Sequence, residues 1–158
     1  MTTNPDALLP SAREVIKKIA LAEAEEAEQE ARRRAEAQAE KKALVDQLTN
    51  FKPISDEEAI GRAMKIIERA IKNRQMEVEV FRFPNQLCTD KGRAINQQEP
   101  GWQNTLTGVP KEVYRLWDKY FRPRGYKLKV QIVDFPDGMP GDIAMSLSWA
   151  SAASGGVQ

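Results

Sequence analysis

The chain changes character at Asn50–Ile54, and that change limits what it can fold into more than any motif does. Residues 11–50 contain no Gly, Pro or aromatic residue and are dominated by Ala, Glu, Gln, Lys and Arg. Residues 55–150 hold every Trp and Tyr and the only Cys. The first composition belongs to a helix, since Ala is the best helix former and the charged residues come close behind. The second belongs to a packed domain. The expected fold class is therefore α+β. A long N-terminal helix precedes a small two-layer domain, with a three-stranded, mostly antiparallel sheet and two to three helices.

Local signals set the expected boundaries. Ser11 with Glu14 three residues on, and Ser55 with Glu58, are capping-box signatures that open two helices. The first runs to about Asn50 and the second ends near Asn73. In the first, Glu28/Arg32 and Glu30/Arg34 pair at i,i+4 with the acid leading, the better orientation. Its apolar stripe starts at Val15, Ile16 and Ile19. Between Ala20 and Ala35 the stripe is Ala alone, and it resumes at Leu44, Val45, Leu48 and Phe51. Arg34 and Gln38 stand where a strict heptad would continue. Ala buries little area, so association through the middle is weak. A solvated single helix and a coiled coil with close Ala faces both fit.

In the domain, Ala59, Ile60, Ala63, Met64, Ile67, Ala70 and Ile71 recur at helical spacing. Met76–Phe83 alternates, with Met76, Val78 and Val80 on one side and Glu77, Glu79, Phe81 and Phe83 on the other, so it reads as a strand. Asn85–Gly108 lacks periodicity, apart from a short helix that Thr89 could cap. A stretch of that kind is expected to be functional or disordered. Gly108 and Pro110 open a helix whose core side is Val113, Leu116, Trp117, Tyr120 and Phe121. Tyr126–Phe135 and Ile143–Trp149 alternate around a Gly-containing loop and read as an antiparallel hairpin. Residues 1–10 and 151–158 are expected to be disordered.

What the chain lacks narrows the chemistry. It has no His and one Cys. That removes Ser-His and Cys-His nucleophile pairs and tetrahedral N/S zinc sites. An enzyme ranks behind a binding protein, and no catalytic residue, metal site or cofactor is assigned. A lone Cys forms no intrachain disulfide and points to a reducing compartment. Met1–Pro10 lacks the basic and apolar regions of a signal peptide, and no apolar run approaches a membrane span. A cytoplasmic location without membrane contact is the expectation. Cys88, close to Lys91 and Arg93, reads first as a packing residue and second as a reactive thiol. Asp134, Asp137 and Asp142 read first as turn residues and second as cation ligands.

Two surfaces remain as candidates. Lys91, Arg93 and Trp102 sit in the irregular segment, where Gly92 beside two cations could cradle an anion and Trp102 could anchor a partner. The alternative for these residues is that Trp102 plugs the core and Arg93 pairs with Glu99 or Asp90. The second surface is basic. Lys111, Arg115, Lys119 and Arg122 recur on the helix side opposite the apolar residues, and Lys127 and Lys129 extend it onto the next strand. Helix, strand, short helix, helix and hairpin is also the element order of winged-helix DNA-binding domains, a similarity of order alone. Asp137 and Asp142 at the hairpin tip count against it, since phosphates repel them. The leading expectation is a non-catalytic, oligomeric binding or scaffolding protein. Residues 11–50 serve self-association or docking onto a protein partner, and the domain serves recognition. The alternative is a winged-helix-like nucleic-acid binder using helix 110–122.

Overall fold

A computed structural model describes residues 4–153. The protein is α+β, with one long N-terminal helix, a three-stranded antiparallel sheet and several shorter helices. The chain divides into two compact units, residues 1–42 and 43–158.

The first unit consists chiefly of helix α1, Ala12–Thr49. The Glu14 N–H donates to Ser11 Oγ at 3.1 Å, the capping bond expected from the sequence. Arg32–Glu28 at 2.7 Å and Arg34–Glu30 at 2.8 Å form the two i,i+4 pairs. No residue of α1 is buried. Val15, Ile16, Ile19 and Leu21 are exposed, as are Leu8 and Leu9 before the helix. Of the terminal segments expected to be disordered, residues 1–3 and 154–158 lie outside the described residues. Pro5–Ala7 forms a 3₁₀ turn, and Ala150–Ala153 a single helical turn.

The second unit begins inside α1. Val45 and Leu48 from its last turns pack against the domain core. Helix α2, Asp56–Lys72, comes after the joint, with Ser55 Oγ accepting from the Glu58 N–H at 3.1 Å. Acids fill its first turn and Arg69 and Lys72 its last, so both ends complement the helix dipole. Strands β1 (Glu77–Phe83), β2 (Lys127–Ile132) and β3 (Ile143–Ser148) form the sheet in the order β1-β3-β2. The central strand, last in sequence, has the most apolar face.

Cross-strand register explains the two faces. Val78–Leu147–Leu128, Phe81–Met145–Val130 and Phe83–Ile143–Ile132 lie in rows on the core side. Glu79–Ser146–Lys129 and Arg82–Ala144–Gln131 form rows on the opposite side. Lys129 reaches Glu77 there at 3.1 Å. Strict alternation places Phe81 and Phe83 beside Glu77 and Glu79, and the structure corrects this. The register shifts between Glu79 and Phe81, so Val80 is an extra residue in a β-bulge. The extra residue reverses the phase, and both phenylalanines join Val78 on the core side.

The segment Asn85–Thr107 is part of the core rather than a free loop. Leu87, Cys88, Ala94, Ile95 and Leu106 are all buried. Cys88 pairs with Leu106 in an isolated antiparallel bridge, and Thr107 N–H donates to Leu87 O at 3.0 Å. Asn85 is the one buried polar residue among those described. It donates to Lys91 O at 2.9 Å and Pro140 O at 3.1 Å, tying this segment to the hairpin loop. The short helix α3, Arg93–Asn96, is not capped by Thr89. Asp90 does this instead, accepting from Gly92 N–H and Ala94 N–H at 2.9 Å each.

Candidate functional site

Helix α4, Gly108–Leu116, carries the spacing that implied a buried side, and it continues into a π-helical turn, Trp117–Phe121. A π turn interposes a residue and rotates the remainder of the helix about its axis. Only Phe121 of the five predicted core residues is fully buried. Val113, Leu116, Trp117 and Tyr120 are half-buried. The space they leave open is a cavity of about 440 Å³ bounded by α2, α4 and the sheet. Its apolar walls come from Ile60 and Ala63 of α2, Leu116 and Trp117, and Phe81 and Leu147 of the sheet. Val80, the bulged residue, packs against both buried clusters of the core and lines the cavity where they meet.

The mouth is polar and partly tied. Asp56, at the start of α2, accepts from Arg115 Nη2 at 2.7 Å and from Tyr120 Oη at 2.8 Å. Arg115 also reaches Glu112. These bonds link the beginning of α2 to α4. Hydrogen bonds from Arg115 and then Tyr120 hold the Asp56 carboxyl below its ordinary pKa. A depressed carboxyl keeps its stabilising contacts above its unfolded value and loses them as pH falls through the folded one, so this tie weakens only in acid. Arg62, also on the rim, pairs with Glu58 at 3.1 Å. Lys52, from the joint, lines the mouth, is exposed and has no acidic partner among the described residues.

Of the residues singled out from sequence, Arg115 lines the cavity and the others fall elsewhere. Lys91 and Arg93 are exposed, and Arg93 pairs with Glu99 at 2.9 Å. Asp90 occupies the N–H groups that an anion would need at this turn. Trp102 is half-buried and meets Tyr114 edge-on, with ring centres 5.6 Å apart. Arg93 and Trp102 belong to α3 and to the 3₁₀ turn Trp102–Thr105, two short elements that contact each other. On the basic surface, Arg115 is taken by Asp56 and Glu112, Arg122 by Asp118 at 2.8 Å, and Lys129 by Glu77. Arg122 also lies over the Trp117 ring, and Lys119 over that of Tyr120. Lys111 and Lys127 remain exposed. The acids at positions 56 and 77 are distant in sequence, so a local count of charge misses this neutralisation.

Cys88 is fully buried, and burial pushes its thiol up to about 11, the opposite of a reactive thiolate. Asp134 and Asp142 serve the hairpin loop. Arg82 contacts Asp142 at 3.1 Å and Asp134 at 3.7 Å, and the Asp142 N–H donates to the Asp134 carboxylate. Asp137 adopts a positive φ at the tip. The cavity itself escaped sequence reasoning because its lining is ordinary core-type side chains. The signal that existed was the excess of apolar residues on α4 for so small a domain. Compared with known proteins, the chain matches no family model, no curated protein and no solved structure.

Proposed function

We propose that the protein is a non-catalytic binding protein that takes an apolar ligand into the cavity between α2, α4 and the sheet. The observation that carries this reading is the cavity, about 440 Å³ of apolar-lined space with a tied polar mouth. Its size lies within the range of small-molecule sites, which are typically apolar with a few polar groups at the opening. The absence of His and the burial of Cys88 support a binding role over a catalytic one. The single buried thiol also fits a reducing compartment such as the cytoplasm.

The test uses the uncharged, polarity-sensitive dye Nile red with the full chain. Its emission should rise and shift to the blue on titration. Ala63→Phe, which fills the cavity from α2, should weaken binding at least tenfold while circular dichroism stays native. Ala59→Leu provides a second filling variant at the same wall. Binding that survives both substitutions removes the cavity from the reading.

The role of α1 in this reading is self-association or docking onto a protein. Its exposed Val15, Ile16 and Ile19 form an apolar cluster that water would otherwise cover. Sedimentation velocity should show a mass above that of one chain at micromolar concentration, and Ile16→Lys with Ile19→Lys should reduce it. An identical sedimentation coefficient for both proteins rejects the self-association role. A nucleic-acid interface on residues 110–122 ranks second. Its element order supports it, while the ion pairs on Arg115, Arg122 and Lys129 reduce the charge it could offer to phosphates.

A further inference from the structure

The cavity's chemistry narrows its ligand, and this step rests on the proposed binding reading. The interior walls are aliphatic and aromatic, with Trp117 already satisfied through Nε1–H to Tyr126 O at 3.0 Å. A ligand inside gains by removing apolar surface from water and finds few hydrogen-bonding groups to match. The charged lining is confined to five of the described residues, Lys52, Asp56, Arg62, Glu112 and Arg115. Asp56 and Glu112 are both engaged by Arg115, and Arg62 by Glu58. Among the described residues, Lys52 is the one charged residue of the lining without an ion-pair partner, and it lines the same space as apolar Phe51 and Ile54.

We infer that the ligand is an aliphatic monocarboxylate, its alkyl chain in the cavity and its carboxylate at Lys52. One carboxylate matches the one cation of the lining that has no partner. A second would find no free cation, since Asp56 and Glu112 already share Arg115. A neutral lipid would leave Lys52 unused, and a cationic amphiphile would be repelled by it. Because Lys52 is exposed, its ion pair supplies selectivity for the head group rather than most of the affinity. The chain supplies the affinity, with each added methylene tightening binding about three- to fourfold while the cavity has room.

The experiment is isothermal titration of the full chain at pH 8 with octanoate, decanoate and dodecanoate, and with dodecanol as the uncharged match. Affinity should climb along the acid series. Dodecanoate should bind about three- to fivefold tighter than dodecanol in low salt, and that advantage should shrink as salt is added. Lys52→Ala should erase the advantage and Lys52→Arg should keep it, with dodecanol binding unchanged in both. Equal binding of dodecanoate and dodecanol by the wild type, or an advantage that survives Lys52→Ala, overturns the carboxylate assignment and leaves the apolar cavity standing. Affinity that does not depend on chain length overturns the cavity reading as well.

Discussion

Gly108→Ala should destabilise the domain by about 2–5 kcal/mol, an unusually large effect for adding one methyl group. Two causes act together. Gly108 has a φ of +60°, where an L-residue with a Cβ costs roughly 1–2 kcal/mol. A Cβ at this position would also lie 2.3 Å from Leu48 O and 3.1 Å from Leu48 C. Those are backbone atoms of the last turn of α1, so no rotamer change relieves the clash. Either that turn moves off the domain, taking Val45 and Leu48 out of the core, or α4 shifts. Gly61 is the internal control. It lies within α2, and a Cβ there meets nothing within 4 Å. Gly61→Ala should therefore stabilise by about 0.5–1 kcal/mol, since Ala is the better helix former. Urea unfolding of both variants gives the two signs side by side. A Gly108→Ala midpoint at or above that of the wild type would show that α1 does not approach α4 in this way.

The same contact shows what could and could not be read from the chain. The joint, both capping serines, α2 and all three strands were legible because each rests on neighbours in sequence. The resumed stripe Leu44, Val45 and Leu48 was visible, but nothing local distinguishes a sticky helix end from a turn folded into a domain. That distinction depends on Gly108, which is far away in sequence. Asn85–Thr107 looked polar because its core residues, Leu87, Cys88, Ile95 and Leu106, keep to no period. They are placed by one bridge and by Asn85, whose amide bonds two carbonyls in different loops. The basic surface was legible as sequence, but the pairing of Arg115 and Lys129 was not, because Asp56 and Glu77 arrive from other elements. The cavity depends on how far α2 and α4 stand apart above the sheet, which no local pattern encodes.

The β1 bulge yields the last expected result. Under strict alternation Phe83 shares the outer face with Glu77 and Glu79, and Phe83→Ala would stay within about 0.5 kcal/mol of wild type, as surface changes do. With the extra residue between Glu79 and Phe81, Phe83 is 1% exposed and lies opposite Ile143, which is itself fully buried. Its ring stacks on that of Phe81, with centres 5.9 Å apart. Truncation there removes a full aromatic side chain from close packing and should cost about 3–5 kcal/mol. Phe81→Ala should cost less, because Phe81 is half-buried and one side of it already faces the cavity. The order of the two urea midpoints is the measurement. A loss larger at Phe81 than at Phe83 would place the core's weight on the cavity wall. A loss negligible at both would return the strand to simple alternation, with its phenylalanines in solvent.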